Sequence, residues 1–233
     1  MCFNASTSMI TFAISLSSCI YLYNMEKNNK SNKFCAVVIF LIGLMQLLEF
    51  FIWKNQSCNF KNHIFSLLIL VLITLQPIVG IIYYNYLFKP ILFNTSFVIG
   101  YSILYAVFSL YLLNKLNNFK LCSRPTQKSC RLNWDVFNKL SVKFPRYIGL
   151  LFFFFYFGPP LLMALDAVTS DKKGILKYPI RYAFLPVTFL VTLIYICIKK
   201  NIDPVNFLEY TDIWGSMWCF MAVFLGIIGI LNI

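Results

Sequence analysis

The sequence predicts an all-α, polytopic membrane protein with seven transmembrane helices in one bundle. Of its 233 residues, 60% are hydrophobic and only 12% are charged, whereas a soluble domain is about 45–50% apolar and about 25% charged. The mean hydropathy is +0.74, and the apolar residues come in long blocks rather than in alternation. These observations exclude a soluble globular protein.

The chain is predicted to form one transmembrane domain, residues 1–233. About 20 apolar residues cross a bilayer as a helix, and seven blocks have that length: 5–23, 34–53, 63–84, 91–113, 147–168, 178–198 and 213–232. The loop before the fifth block contains LNWDVFNKLSVKF, residues 132–144, in which Leu132, Val136, Leu140 and Phe144 recur every four residues. This pattern predicts a short amphipathic helix, which either lies in the headgroup plane or packs on the ends of the bundle.

Seven spans place the two ends of the chain on opposite faces, here called the near face (the side of the N-terminus) and the far face. The net charge of +12 would suggest nucleic acid in a soluble protein. Here the basic residues fall between the apolar blocks, so anionic lipid headgroups are the predicted partner and no nucleic acid is expected. Of the 20 Lys and Arg, 12 lie on the near face and 8 on the far face. This small excess favours a cytosolic N-terminus.

A carboxyl group interrupts the second span, in the stretch QLLEFFIW at residues 46–53. Gln46, Glu49 and Trp53 follow i, i+3, i+7 spacing and therefore share one helical face. Ionisable side chains inside a bilayer face the bundle interior and indicate function by default. Three interpretations stay open: a protonated Glu49 bonded to Gln46, Gln76 or Ser216, a ligand, substrate or proton site, or a carboxylate reaching the interface beside Lys54.

Other unusual residues are predicted to share the leaflet of Glu49. The third span brings Gln76, followed by Pro77, to about mid-depth, and the seventh span enters from the near face with two tryptophans and a serine. The residues predicted to line a ligand pocket are Cys2, Gln46, Glu49, Trp53, Gln76, Trp214, Ser216 and Trp218.

Catalytic and cofactor motifs are sparse. His63 is the single histidine, and it cannot build a zinc site of the usual multi-His kind. No Gly-rich phosphate loop or paired-carboxylate motif is present, so neither a metal nor a cofactor is predicted. Asp166, at the far end of the fifth span, is expected to be solvated, and Pro159 and Pro160 are expected to kink that helix.

The cysteines of the near face allow several pairings. Cys122 and Cys130 lie in one loop with the spacing C-x7-C. On an oxidising face they could pair with each other, or one of them with Cys58, whereas on a cytosolic face all three stay reduced.

The start MCFNASTS and the segment LIGLMQLLEFFIW resemble an uncharacterised family of small multi-pass membrane proteins of bacteria and large DNA viruses. Members typically begin Met-Cys-Phe-Ser-Ala, carry Gln-x-x-Glu-x-x-x-Trp in the second span, and have a polar or aromatic residue before proline in the third. The matching positions are Cys2, Phe3, Gln46, Glu49, Trp53 and the Gln76-Pro77 pair, while Asn4 replaces the serine. The resemblance covers residues 1–85 and implies a fold but no mechanism. Together with a composition typical of an AT-rich genome, it implies a viral source and a viral or host-cell membrane.

Three functional hypotheses follow. The leading one is a non-enzymatic membrane protein that binds or moves a small ligand or ion, with Glu49 as its protonatable group. The alternative is a membrane-embedded enzyme: removal of the initiator methionine would give Cys2 a free amine beside its thiol, and Cys2 and Glu49 would act as nucleophile and base on lipid or thiol chemistry. The third is a structural protein of a viral or cellular membrane without a site.

Overall fold

Six helices and a short β-hairpin make up the part of the chain that the computed structural model describes, residues 4–25, 29–125 and 132–169. In chain order these elements are α1 (Ala5–Asn24), α2 (Lys30–Lys54), α3 (Phe60–Phe88), α4 (Thr95–Asn117), β1 (Arg124–Pro125), β2 (Leu132–Asn133), α5 (Asp135–Lys143) and α6 (Arg146–Thr169). All of the helices except α5 are long and apolar enough to cross a membrane. They correspond to the first five predicted spans, and they are consistent with a helical integral membrane protein. The predicted spans 178–198 and 213–232 lie outside the described residues.

Asparagine caps the N-terminus of each of the first four helices. The side chains of Asn4, Asn29, Asn59 and Asn94 each accept a hydrogen bond from the backbone N–H three residues later. The first N–H groups of a helix have no partner within the helix, and an asparagine side chain is among the best acceptors for them. The caps therefore define where each of these helices begins.

α1 packs on α2 through small polar side chains. Its buried residues follow a spacing of three and four, typical of a left-handed helix pair: Ser8, Thr11, Ser15, Ser18 and Leu22. Opposite them, a Cβ atom added to Gly43 would lie only 2.7 Å from Cβ of Ser15. Small residues permit such a close approach of two helices within a membrane, and the contact sets the register of this antiparallel pair.

The near-face loop folds onto the helix bundle and joins its core. We call residues 118–125 and 132–145 the near-face cap. Val136, Phe137 and Leu140 of α5 are buried in one hydrophobic cluster with Met45 of α2 and Ile69 of α3. Of the two arrangements predicted for the amphipathic helix, the structure therefore shows packing on the bundle end.

The helix of the near-face cap is also shorter than the predicted range 132–144. Leu132 and Asn133 form β2 and pair with β1 in antiparallel register, so α5 begins only at Asp135. Leu132, the first residue of the four-residue apolar repeat, therefore lies in β2 and not in the helix.

Asp166 lies in α6 at the far end of the bundle, and its carboxylate connects α6 with α3 and with the linker between α3 and α4. Its Oδ1 accepts from the backbone N–H groups of Ile91 at 2.8 Å and Leu92 at 3.0 Å, and its Oδ2 accepts from the hydroxyl of Tyr84 at 3.1 Å. Asp166 is 1% exposed, so the expectation that it is solvated is wrong. The linker between α3 and α4 presents backbone donors that need an acceptor, and the carboxylate supplies it.

The prolines of α6 lie within a continuous helix. Pro159 cannot donate to the carbonyl of Phe155, four residues earlier. The hydroxyl of Tyr101 on α4 donates to this carbonyl at 2.6 Å. A side chain of a neighbouring helix thus replaces the missing backbone hydrogen bond.

Candidate functional site: a buried carboxyl beneath the near face

Glu49 lies inside the bundle, five residues before the end of α2 at Lys54, which is about 7 Å along the axis at ~1.5 Å per residue. Its side chain is 3% exposed. Its Oε1 accepts a hydrogen bond from the indole N–H of Trp134 at 3.1 Å. Glu49 therefore does not reach the interface beside Lys54, and of the three sequence-based interpretations, this one is not what the structure shows.

Trp134 reaches Glu49 because the near-face cap holds it from both sides. It is the residue before α5, it has an extended backbone, and it is 2% exposed. On one side, the backbone N–H of Asp135 donates to Oγ of Ser123 at 3.2 Å. The Asp135 carboxylate in turn accepts from the backbone N–H of Cys122 at 2.9 Å. These bonds tie the start of α5 to the segment before β1 and direct the indole into the bundle.

Asn62 anchors the same segment to α3. Its amide nitrogen donates to the carbonyls of Asn55 at 2.7 Å and Ser123 at 2.8 Å, and its side-chain oxygen accepts from the N–H of Ser123 at 2.8 Å. The hydroxyls of Ser66 and Ser123 lie 2.7 Å apart. Asn62, Ser66 and Ser123 are all fully buried. Three backbone groups of the loops are therefore satisfied by one side chain of a transmembrane helix.

A disulfide between Cys58 and Cys122 closes the near-face cap, with the two Cα atoms 5.0 Å apart. This pairing is one of the alternatives that the sequence left open, and Cys130 lies outside the described residues. His63 supports the same segment, since its Nδ1 accepts from the backbone N–H of Leu121 at 3.3 Å, while its Nε2 lies 3.2 Å from the side-chain oxygen of Asn117. The single histidine is therefore an anchor of the loop.

Three further buried polar groups lie within about one helical turn of the carboxyl along the axis of α2. Gln46 lies one turn before Glu49 on the same face, and it is 3% exposed. Its side chain lies within hydrogen-bonding reach of the Glu49 carboxyl, but its amide nitrogen makes no hydrogen bond of good geometry within the described part of the chain. The indole nitrogen of Trp53 and the hydroxyl of Ser8 are also buried and also lack a partner among those residues.

Ser8 belongs to this group through the register of α1 and α2. Ser15 lies against Gly43, and the two helices are antiparallel. Seven residues back along α1 and seven forward along α2 bring Ser8 level with residue 50, one residue past Glu49 along the axis of α2. We call Ser8, Gln46, Glu49, Trp53 and Trp134 the Glu49 cluster.

Gln76 is not part of the Glu49 cluster. Its side-chain oxygen accepts from the hydroxyl of Tyr156 at 2.6 Å, and its nitrogen donates to the carbonyl of Leu41 at 3.4 Å. Leu41 precedes Glu49 by eight residues, about 12 Å along α2 at ~1.5 Å per residue. The glutamine predicted to line the pocket instead links α2, α3 and α6 closer to the middle of the bilayer.

The remaining predicted site residues lie outside the described part of the chain: Cys2, Trp214, Ser216 and Trp218. Sequence analysis missed Trp134, which lies inside the stretch 132–144 that was predicted to be helical. It also missed Asn62 and Ser123, for which the sequence carries no signal. Within residues 4–25, 29–125 and 132–169, no three His, Cys, Asp or Glu side chains are grouped so as to hold a metal ion.

A comparison of the chain with protein-family models, with curated proteins and with solved structures finds no match.

Proposed function

We propose that this membrane protein binds or moves a small polar ligand or ion through a pocket centred on Glu49. The observation that carries the proposal is the Glu49 cluster. It combines a buried carboxyl, held on one oxygen by Trp134, with an amide, an indole and a hydroxyl that have no hydrogen-bond partner among the described residues.

The cost of leaving buried polar groups without hydrogen bonds favours the binding of a polar ligand beside Glu49. A buried donor or acceptor without a partner costs about 1–3 kcal/mol, and native proteins contain few of them. A polar ligand or a hydrated ion that bonds Gln46, Trp53 and Ser8 would remove several such costs together. An ion within the bilayer also needs an opposite charge, which the Glu49 carboxylate supplies.

We propose that the seventh span and the N-terminus form a further wall of the pocket. Trp214, Ser216 and Trp218 are predicted to enter the membrane from the near face, the same side as the Glu49 cluster, and Cys2 precedes α1 on that face. These residues would contribute further donors and aromatic surface.

Ligand-dependent stability of the purified protein tests the proposal, with Na⁺, K⁺ and protons as probes. A ligand that binds only the folded state raises stability by RT ln(1 + [L]/Kd), about 2.7 kcal/mol at 100 times Kd. We expect at least one probe to raise the melting temperature of the unmodified protein but not of Glu49→Gln. Asp166→Asn is the matched control, because it alters a buried carboxyl outside the cluster and should keep the response. An equal response in Glu49→Gln would contradict the proposal.

A second candidate function is structural, and the hydrogen bond from Trp134 favours it. In this case Glu49 serves only to fasten the near-face cap to α2, in a structural protein of a viral or cellular membrane. Glu49→Gln keeps an oxygen that can accept from Trp134, so this candidate expects that variant to behave like the unmodified protein in every binding assay.

The enzymatic alternative stays a proposal that depends on Cys2. Mass spectrometry of the intact N-terminus tests it: a free N-terminal cysteine supports it, whereas a retained Met1 or an acylated Cys2 opposes it.

We likewise propose, on the motifs of residues 1–85, that the chain is related to the multi-pass membrane proteins of bacteria and large DNA viruses and comes from a virus.

A further inference from the structure

The disulfide bears on the orientation of the chain in its membrane. Disulfides persist in oxidising compartments and are rare in the cytosol. Cys58 follows the end of α2 and Cys122 follows the end of α4, so both lie on the near face. Cys19, which lies within α1, is free. The described disulfide therefore joins two cysteines that lie outside the membrane helices, on the same face.

Hydrogen bonds that involve no sulfur atom place the two cysteines together. Cys122 is held through its own N–H by Asp135 at 2.9 Å, and the next residue, Ser123, is held through its N–H by Asn62 at 2.8 Å. Cys58 lies in the short turn whose start, Asn55, accepts from the same Asn62 side chain at 2.7 Å. The Cα–Cα distance of 5.0 Å falls within the usual range for a disulfide, about 4.4–6.8 Å. The loops are thus built to present this pair for oxidation.

We propose that the near face, with the N-terminus and the near-face cap, lies in an oxidising compartment outside the cytosol. This opposes the cytosolic orientation that the count of Lys and Arg favours. That count differs by only 12 to 8, and 8 of the 12 near-face residues lie in the single loop 114–146. A built disulfide is the more specific signal, because it depends on the chemistry of the compartment rather than on a small difference in charge.

The orientation has a consequence for the Glu49 cluster. The cluster lies just beneath the near face, so a ligand would approach it from the side opposite the cytosol, past the disulfide-closed cap. This consequence alone rests on the proposed function, whereas the orientation does not.

Thiol trapping tests the disulfide. Cells producing the full chain are lysed with N-ethylmaleimide to block free thiols, then the protein is denatured, reduced and labelled with a polyethylene glycol maleimide. Each oxidised cysteine adds one increment of mass on a gel. We expect Cys58→Ser to carry two fewer increments than the unmodified protein, because both partners are lost, and Cys19→Ser to carry the same number. An unchanged number in Cys58→Ser would overturn the disulfide and with it the proposal.

Sidedness is tested separately with cysteines introduced at exposed positions on each face, Lys143→Cys on the near face and Ser96→Cys on the far face. Sealed microsomes, whose outer surface is the cytosolic side, are treated with a membrane-impermeant maleimide. We expect Ser96→Cys to be labelled and Lys143→Cys to be labelled only after detergent opens the vesicles. Labelling of Lys143→Cys in sealed vesicles would overturn the orientation. Ligand binding by the purified protein is unaffected by either outcome, so the two proposals fail independently.

Discussion

The hydrogen bond between Trp134 and Glu49 predicts a measurable coupling energy between these two residues. Trp134→Phe removes the indole donor and keeps an aromatic ring, and Glu49→Leu removes the acceptor with little change in volume. Each single variant also loses packing or leaves its partner unpaired. The coupling energy is therefore taken from a double-mutant cycle, which cancels the effects that each substitution has alone.

The size of the coupling reports the charge of the carboxyl. The two atoms lie 3.1 Å apart and both side chains are almost fully buried, so the bond is shielded from water. A neutral hydrogen bond contributes about 0.5–1.5 kcal/mol, and a hydrogen bond to a charged group about 1.5–3 kcal/mol. We expect a coupling of at least about 0.5 kcal/mol. A value above about 1.5 kcal/mol identifies Glu49 as ionised.

The assay is reversible unfolding in mixed micelles by titration with sodium dodecyl sulfate, followed by far-ultraviolet circular dichroism, for the unmodified protein, both single variants and the double variant. Glu49→Gln serves as the matched reference for a neutral acceptor, because its side-chain oxygen can still accept from Trp134. A cycle that is additive to within about 0.3–0.5 kcal/mol would show that the bond has no energetic role and would refute the reasoning.

Three other substitutions test packing and hydrogen bonds elsewhere in the bundle. Gly43→Ala should destabilise the protein by about 1–3 kcal/mol through overpacking, because the added Cβ would lie 2.7 Å from a side-chain carbon of α1. Gly100→Ala is the control and should not destabilise the protein, because nothing lies within 4 Å of the added Cβ. Equal unfolding curves for the two variants would contradict the close approach of α1 and α2. Asp166→Asn keeps one oxygen acceptor but loses the charge that receives two backbone N–H groups, so we expect a loss of about 1–3 kcal/mol in the same titration, and no loss would argue against the role of the carboxylate. Tyr101→Phe should lower the free energy of unfolding by about 1 kcal/mol. The loss should be clearly smaller in a Pro159→Ala background, where the backbone N–H of residue 159 can donate to the Phe155 carbonyl that Tyr101 no longer reaches. An equal loss in both backgrounds would contradict this explanation.

The transmembrane helices of the described region were predictable because the bilayer imposes one length on every span. Their apolar blocks are bounded by asparagine caps and by lysines. The helices begin and end within four residues of the predicted limits: α2 and α3 are longer than their predicted spans, and α4 has the predicted length but lies four residues further along the chain. The shared face of Gln46, Glu49 and Trp53 was also predictable, because it depends only on the period of one helix. Local geometry was therefore accessible from the sequence.

Contacts between distant segments were not predictable in the same way. Trp134 and Glu49 are 85 residues apart, and their contact depends on how the near-face cap folds onto the bundle. The third span is apolar around its whole circumference, so its pattern could not show that Gln76 faces Tyr156 rather than the carboxyl. The burial of Asp166 was missed because a carboxylate near the end of a span is equally compatible with water and with backbone donors.

The hydrogen bonds of Asp166 have a consequence for biosynthesis. The carboxylate oxygen that accepts from the N–H groups of Ile91 and Leu92 belongs to a residue 75 and 74 positions later in the chain. The turn between α3 and α4 is therefore made well before Asp166 has been synthesised. At about 5–20 residues per second, synthesis takes roughly 4–15 seconds to supply α6 after that turn has been made. During this interval, the two amides depend on water or on other proteins of the membrane-insertion machinery. The α3–α4 hairpin should therefore become resistant to proteolysis only when nascent chains extend past residue 166 and α6 has docked.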